Sequence, residues 1–185
     1  MAVHAYTLHP RPTPESRHDR SWAPPGLGDP DGTIPSQWFS GAGTADLHAF
    51  LKSGLDVLVV AAPLTGRTEH LLGAVEFAVL AGGAAAGKGR TFVVNVARGA
   101  VVDTEALVDA LRGGLVRGAA LDVTDPEPLP EGHVLWGMEN VIVTPHVSGA
   151  STRYFERVLA ILEGNLARLA QGEELVNLVD RDRGY

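Results

Sequence analysis

Three ionisable side chains each follow a run of apolar, largely β-branched residues: Arg98 in VVNVARG, Glu127 in LDVTDPEPLP and His146 in VIVTPHVSG. Such a run reads as a buried parallel strand, and in open α/β sheets the ligand lies at the carboxyl ends of the strands. The intervals between the three residues each leave room for a crossover and a further strand. A guanidinium, a carboxylate and an imidazole are therefore expected along one edge of one sheet. A guanidinium holds a carboxylate through two parallel hydrogen bonds, which fix orientation as well as charge. A carboxylate bonded to one imidazole nitrogen selects the ring tautomer and strengthens the hold of the ring on a proton. Such a ring can protonate a carbonyl oxygen as it becomes a hydroxyl. The set suits reduction of a 2-oxo acid, with Arg98 as clamp, Glu127 as orienter and His146 as acid. None of the three supplies a hydride, so a nicotinamide cofactor is required. Taken singly, each motif is more simply a strand end or a proline-stiffened loop; their joint, ordered occurrence carries the inference.

The segments VVNVARGAVVDTEALVDAL, GAALDVTDPEPLP and NVIVTPHVSG resemble the signature segments of the D-isomer-specific 2-hydroxyacid dehydrogenases, and the similarity runs from near Leu55 to Tyr185. The resemblance implies that Arg98 binds the substrate carboxylate and that Glu127 pairs with His146, the general acid/base. It implies cofactor contacts from Pro63 and Leu64, from Thr68 in a P-L-T-x-x-T pattern, from Ala97 beside the nicotinamide, and from Ser148 and Gly149. Asp122 is expected either to accept from the nicotinamide carboxamide or to cap a turn. The implied substrate is a small 2-oxo or 2-hydroxy acid such as glyoxylate or hydroxypyruvate, the cofactor NAD(P), and the intact assembly a cytoplasmic homodimer. Two alternatives stand beside this one: a cofactor-sensing, corepressor-like binding protein of the same superfamily, and an inactive truncated product.

The cofactor choice is read from the strand VHAY. Enzymes using NAD commonly place an acid just after this strand, but here TLHPRPT follows and no acid occurs before Glu15. Arg11, with Thr13 and His9, can meet a 2′-phosphate through charge-assisted hydrogen bonds, so NADP(H) is favoured over NAD(H).

The elements that position these groups follow from periodicity and punctuation. Val3 to Tyr6 reads as a strand, Pro10 to Gly43 as an irregular proline- and glycine-rich excursion, and Thr44 to Leu51 as a short capped helix. LDVLVV is a strand, with short helices expected from Thr68 and over Val75 to Leu80. GGAAAGKGR, from Gly82, reads as a flexible insertion. TFVVNVA is the next strand, Asp103 to Arg112 an amphipathic helix closed by Gly113 and Gly114, and GAALDV and NVIVTP the last strands. Ser151 to Ala170 repeats Phe155, Val158, Leu159, Leu162, Leu166 and Leu169 at helical spacing, giving an apolar face expected to pack on the sheet. The fold class is α/β, a Rossmann-type doubly wound parallel sheet. Residues 1–150 form a partial NAD(P)-binding domain, and 151–185 a helix and tail returning toward a substrate domain.

No G-x-G-x-x-G follows a strand in this chain. In the 3-2-1-4-5-6 order of the fold, VHAY takes position 2, LDVLVV position 3, and TFVVNVA, GAALDV and NVIVTP positions 4 to 6. The central first strand and its glycine-rich, pyrophosphate-binding turn have no counterpart. The expectation is an incomplete sheet with two open edges that invite aggregation. As a truncated form, the chain alone is expected neither to bind cofactor well nor to turn over.

Composition sets outer limits. A chain of 185 residues with 45% hydrophobic and 6% aromatic content buries one good core. The formal charge of −7 disfavours general nucleic-acid binding. There is no cysteine, and the seven histidines show no ligand pair at helical spacing, so neither a disulfide nor a metal site is expected. No apolar stretch approaches the length of a membrane span, about 20 residues.

Overall fold

The computed structural model describes residues 1–19, 21–83 and 90–181; most of the stretch read as an insertion lies outside them. Six strands occur in chain order: β1 (His4–Thr7), β2 (Gln37–Ser40), β3 (Val57–Val60), β4 (Phe92–Asn95), β5 (Gly118–Leu121) and β6 (Val141–Val143). The helices are α1 (Pro14–Arg17), α2 (Thr44–Leu51), α3 (Ala74–Gly83), α4 (Thr104–Arg112) and α5 (Tyr154–Gln171). The chain divides into two compact units, Thr44–Gly149 and Met1–Gly43 with Ala150–Tyr185. Among the described residues no helix is long and apolar enough to cross a membrane.

The Thr44–Gly149 unit is built on four parallel strands in the order β3-β4-β5-β6. Leu58 lies opposite Val93, Val93 opposite Ala119, and Ala119 opposite Val141. Because the order is monotonic and parallel crossovers are right-handed, α3 and α4 fall on one face. That face carries Leu58, Val60, Val93, Ala119 and Leu121, all buried. Val57, Val59 and Ile142 point the other way and stay 44–59% exposed. One face of a doubly wound sheet is therefore covered within this unit. The helix α4 forms where expected: the Asp103 carboxylate accepts from the Ala106 N–H at 2.9 Å, Leu107, Val108, Ala110 and Leu111 are buried, and Gly113 closes the helix. The α2 and α3 helices also form, but Thr68 starts a turn and no helix.

The second unit overturns part of the strand assignment. β1 pairs in parallel with β2, Ala5 opposite Trp38, and β3 pairs with β4 rather than with β1. LDVLVV therefore does not follow VHAY in the sheet; QWFS does. The strand was hidden because it is four residues long, carries no β-branched residue and sits among prolines and glycines. The supposedly irregular stretch from Pro10 to Gly43 thus holds both α1 and β2. Tyr6 Oη donates to the Gly41 carbonyl at 2.8 Å and ties the ends of the strand pair together.

The α5 helix ends at Gly172, whose φ of 71° is the left-handed closure that glycine permits. Asn165 then binds the tail at both ends of its amide, to the carbonyl and the N–H of Val176. No residue of the helix is buried, and Phe155 is 78% exposed. Its periodicity specifies an apolar stripe, and that stripe is not covered within its own unit.

Candidate active site

Arg98 is delivered by the end of β4. Asn95, almost wholly buried, accepts from the Ala97 N–H and donates to the Arg98 carbonyl, each at 3.0 Å. One side-chain amide thus spans the turn that presents Arg98. The guanidinium is exposed and donates back to the Ala97 carbonyl at 2.7 Å. Ala97 itself is buried, so its expected place beside the nicotinamide is a matter of backbone rather than of an open side chain.

Gly99 follows as the first residue of a 3-10 turn and lies against the backbone of Thr124 and Asp125. A Cβ there would run into the Thr124 carbonyl and approach the Asp125 nitrogen to 2.6 Å. The Arg-Gly pair therefore lets the Arg98 loop pack on the loop that carries Glu127. Thr104 reinforces that contact, its hydroxyl donating to the Asp125 carbonyl at 2.8 Å. The Glu127 loop is held further on by buried Leu129 and by the Trp136 indole, which donates to the Pro130 carbonyl at 3.1 Å. The Asp125–Pro126 and Glu127–Pro128 bonds are cis.

His146 Nδ1 lies 2.7 Å from Glu127 Oε1, with both side chains two-fifths or more exposed. A carboxylate accepts only, so the proton of this bond sits on Nδ1 of the ring. The backbone of His146 is left-handed, with φ of 54°, and its N–H donates to the carbonyls of Asp122 and Thr144. Asp122 is buried immediately after β5. Its carboxylate accepts from the Thr144 hydroxyl at 2.6 Å and from the N–H groups of Val147 and Ser148 at 2.9 and 2.7 Å. These donors, Thr144 foremost and Ser148 next, hold the Asp122 carboxyl well below the usual carboxylate range against the opposing effect of burial. Of the two roles expected for Asp122, the turn anchor is directly visible.

A third loop joins the group. The Thr68 hydroxyl donates to the Pro63 carbonyl at 2.6 Å and closes the P-L-T-G-R-T turn on itself, leaving Pro63 and Leu64 exposed. Its end is laid along the Arg98 turn by bonds from His70 N–H to the Ala100 carbonyl and from Leu72 N–H to the Val101 carbonyl. Ser148 and Gly149 are exposed, and a Cβ at Gly149 would meet nothing within 4 Å. Arg98, Glu127, His146, Asp122, Pro63, Leu64, Thr68, Ala97, Ser148 and Gly149 all fall in the one compact unit.

Arg11 and Thr13 belong to the other unit. Thr13 is committed to capping α1, where its hydroxyl accepts from the Ser16 N–H. Arg11 shares the Trp38 ring with Arg17, their guanidinium carbons 5.9 and 5.8 Å from its centroid. Their side chains donate to main-chain carbonyls: Arg11 to Ser16, and Arg17 to Arg11 and Pro12. Two cations gathered over one indole are a donor set that fits a phosphate. The sequence signalled Arg11 but passed over Arg17, whose proline-rich surroundings masked α1. Asn95 and Thr144 were also missed; each is a polar residue closing an apolar strand, which is the signal that marked Arg98 and His146.

Residues 33–148 match the NAD binding domain of the D-isomer specific 2-hydroxyacid dehydrogenases. The chain belongs to that family. The glyoxylate reductase of Aeropyrum pernix is 39% identical over 142 residues, which are 77% of this chain and 40% of the relative. The glyoxylate/hydroxypyruvate reductase A of Klebsiella pneumoniae is 40% identical over 144 residues, 78% of this chain and 43% of the relative. This D-2-hydroxyacid dehydrogenase domain thus spans about two-fifths of the length of such curated relatives. Among solved structures, the D-isomer specific 2-hydroxyacid dehydrogenase of Xanthobacter autotrophicus in complex with NADPH and MES superposes with a TM-score of 0.72 and 34% identity, covering 99% of this chain and 62% of that one. The NADPH-dependent glyoxylate/hydroxypyruvate reductase of Sinorhizobium meliloti, in complex with NADP and sulfate, gives a TM-score of 0.70 at 26% identity, covering 100% and 57%. The four-stranded parallel sheet and its helices match the Rossmann-like architecture of these relatives.

Proposed function

We propose that Arg98, Glu127 and His146 are the substrate clamp, the orienting carboxylate and the acid/base of an NAD(P)H-dependent reduction of a small 2-oxo acid to its 2-hydroxy acid. The observation that carries this is the 2.7 Å contact between His146 Nδ1 and Glu127 Oε1 at the carboxyl edge of the four-stranded sheet. With Nδ1 facing Glu127, Nε2 is the nitrogen left to give a proton to a carbonyl oxygen and, in the reverse direction, to take it back from the hydroxyl. Arg98 stands at the end of the strand beside β5 and is open to solvent, where its guanidinium can take the substrate carboxylate through two bonds. A bound nicotinamide supplies the hydride. The Pro63–Thr68 turn, the Ala97 backbone, Asp122, Ser148 and Gly149 line the side proposed to face it.

The 2′-phosphate of NADP(H) is assigned to Arg11, with Arg17 as the second cation, and NADP(H) is favoured over NAD(H). Two of the related structures carry NADPH or NADP, which supports this choice. Glyoxylate and hydroxypyruvate are the first substrates proposed, from the names of the relatives. Cytoplasmic location and homodimer assembly, implied by the resemblance, belong to the same proposal. The test is nicotinamide oxidation by the native protein with each 2-oxo acid, alongside Arg98→Gln. A rise in KM of roughly a hundredfold supports the clamp, and an unchanged KM refutes it.

A further inference from the structure

The contact between His146 and Glu127 is short, yet both partners are two-fifths or more exposed. An ion pair that open to water contributes little and does not by itself hold a ring in one place. His146 also occupies a left-handed backbone conformation, which a residue other than glycine keeps only where its surroundings over-determine it. The orientation of the imidazole must then rest on the turn beneath it as well as on Glu127.

That turn is wound around one residue. From Thr144 to Ser148 the chain donates five hydrogen bonds to β5 or to the residue that follows it. Thr144 N–H goes to the Leu121 carbonyl and His146 N–H to the Asp122 carbonyl. The Thr144 hydroxyl and the Val147 N–H share Asp122 Oδ1, and the Ser148 N–H takes Oδ2. Four of these five donors are main-chain groups, present whatever the side chain. The Thr144 hydroxyl, at 2.6 Å the shortest of the bonds to the Asp122 carboxylate, is written by the sequence, as is a second side-chain bond to that carboxylate from Ser148. The Thr144 bond joins β6 to β5 two residues before His146.

We infer that Thr144 is a positioning residue for the proposed acid/base: its hydroxyl fixes Asp122, Asp122 fixes the turn, and the turn sets the imidazole of His146 against Glu127. The inference rests on the assignment of His146 under the proposed function, but its geometry does not require turnover. Loss of the hydroxyl removes the shortest of these bonds and leaves Asp122 held by Val147 and Ser148, so the turn relaxes while the sheet below it stays intact.

The test is the 15N spectrum of the His146 ring in the chain as it stands, compared with Thr144→Val, which removes the hydroxyl at constant shape, and Thr144→Ser, which keeps it. The wild type and Thr144→Ser are expected to share the form protonated on Nδ1. Thr144→Val is expected to show a mixture of tautomers, with the backbone amide spectrum of α4 and β4 unchanged. If Val is not accommodated, Thr144→Ala removes the same hydroxyl without adding a branch and gives the same comparison. An unchanged tautomer in Thr144→Val or Thr144→Ala overturns the inference. So does equal disturbance in Thr144→Ser, which would place the effect in the methyl group. In the native protein, Thr144→Val is expected to lower kcat about tenfold with KM for the 2-oxo acid nearly constant. A shifted tautomer in a protein that reduces no 2-oxo acid would leave Thr144 in its role and remove the proposed reaction instead.

Discussion

Gly99→Ala tests whether the Arg98 and Glu127 loops are held by direct backbone packing. The methyl group would collide with the Thr124 carbonyl and lie 2.6 Å from the Asp125 nitrogen, whereas ordinary non-bonded contact begins near ~3.5 Å. The Thr124 carbonyl is nearer still, so the two backbones must separate by roughly 1.5 Å. Neither can yield like a flexible side chain, because the Asp125 carbonyl is tied to Thr104 and the Arg98 carbonyl to Asn95. Overpacking of this kind costs about 1–3 kcal/mol, and rigid backbone on both sides puts the expected loss near the top, at about 3 kcal/mol. For a domain of about 100 residues that lowers the melting temperature by roughly 10–20 °C. Gly137→Ala is the control, since a Cβ there meets nothing within 4 Å; its expected effect is within about 0.5 kcal/mol. Denaturant unfolding of the two variants against wild type decides the matter. A Gly99→Ala protein as stable as Gly137→Ala would show that the loops are not in contact and that their convergence rests on something else.

Other consequences follow from single side chains. Asp103→Ala removes the cap of α4 and is expected to destabilise the domain by about 1 kcal/mol in denaturant unfolding. Burial raises the Glu76 carboxyl, but the His48 hydrogen bond at 3.0 Å, the main-chain N–H groups of Glu76 and Gly73 and the charge of His48 together bring it below its ordinary 4.5. A depressed carboxyl stabilises the fold above that value and loses the contribution as pH falls through its lowered folded value. Stability below pH 4.5 should therefore decline less steeply in Glu76→Gln, as measured by unfolding midpoints across the acid range. Arg11→Ala is expected to reduce the preference for NADP(H) over NAD(H) by roughly tenfold or more, read from the ratio of kcat/KM values of the native protein; an unchanged ratio removes Arg11 from the 2′-phosphate.

The strands of the four-stranded sheet were legible because each lies in an apolar, largely β-branched run, and α4 because Asp103 and Gly113 bracket it as their types require, although the pairing of LDVLVV with TFVVNVA was not foreseen. The Arg98, Glu127 and His146 set was legible for a related reason, since each breaks an apolar run with a charge. QWFS was not, because a four-residue strand without β-branched residues carries too little pattern to stand out from prolines on either side. Nor was the α5 surface: periodicity says that Phe155 and Leu162 share a face but not what meets it. Asn95 and Thr144 lay open in the sequence as polar strand-closing residues. Their partners are backbone groups and a carboxylate on other elements, and only the fold brings those together.

The most direct measurement is steady-state reduction of glyoxylate with NADPH by the native protein and by His146→Ala, with NADPH affinity measured in parallel by fluorescence. The expected result is a fall in kcat of about a thousandfold with affinity for NADPH nearly unchanged. A variant that reduces glyoxylate at the wild-type rate would contradict the assignment of His146 as the acid, and with it the proposed reaction at this sheet edge.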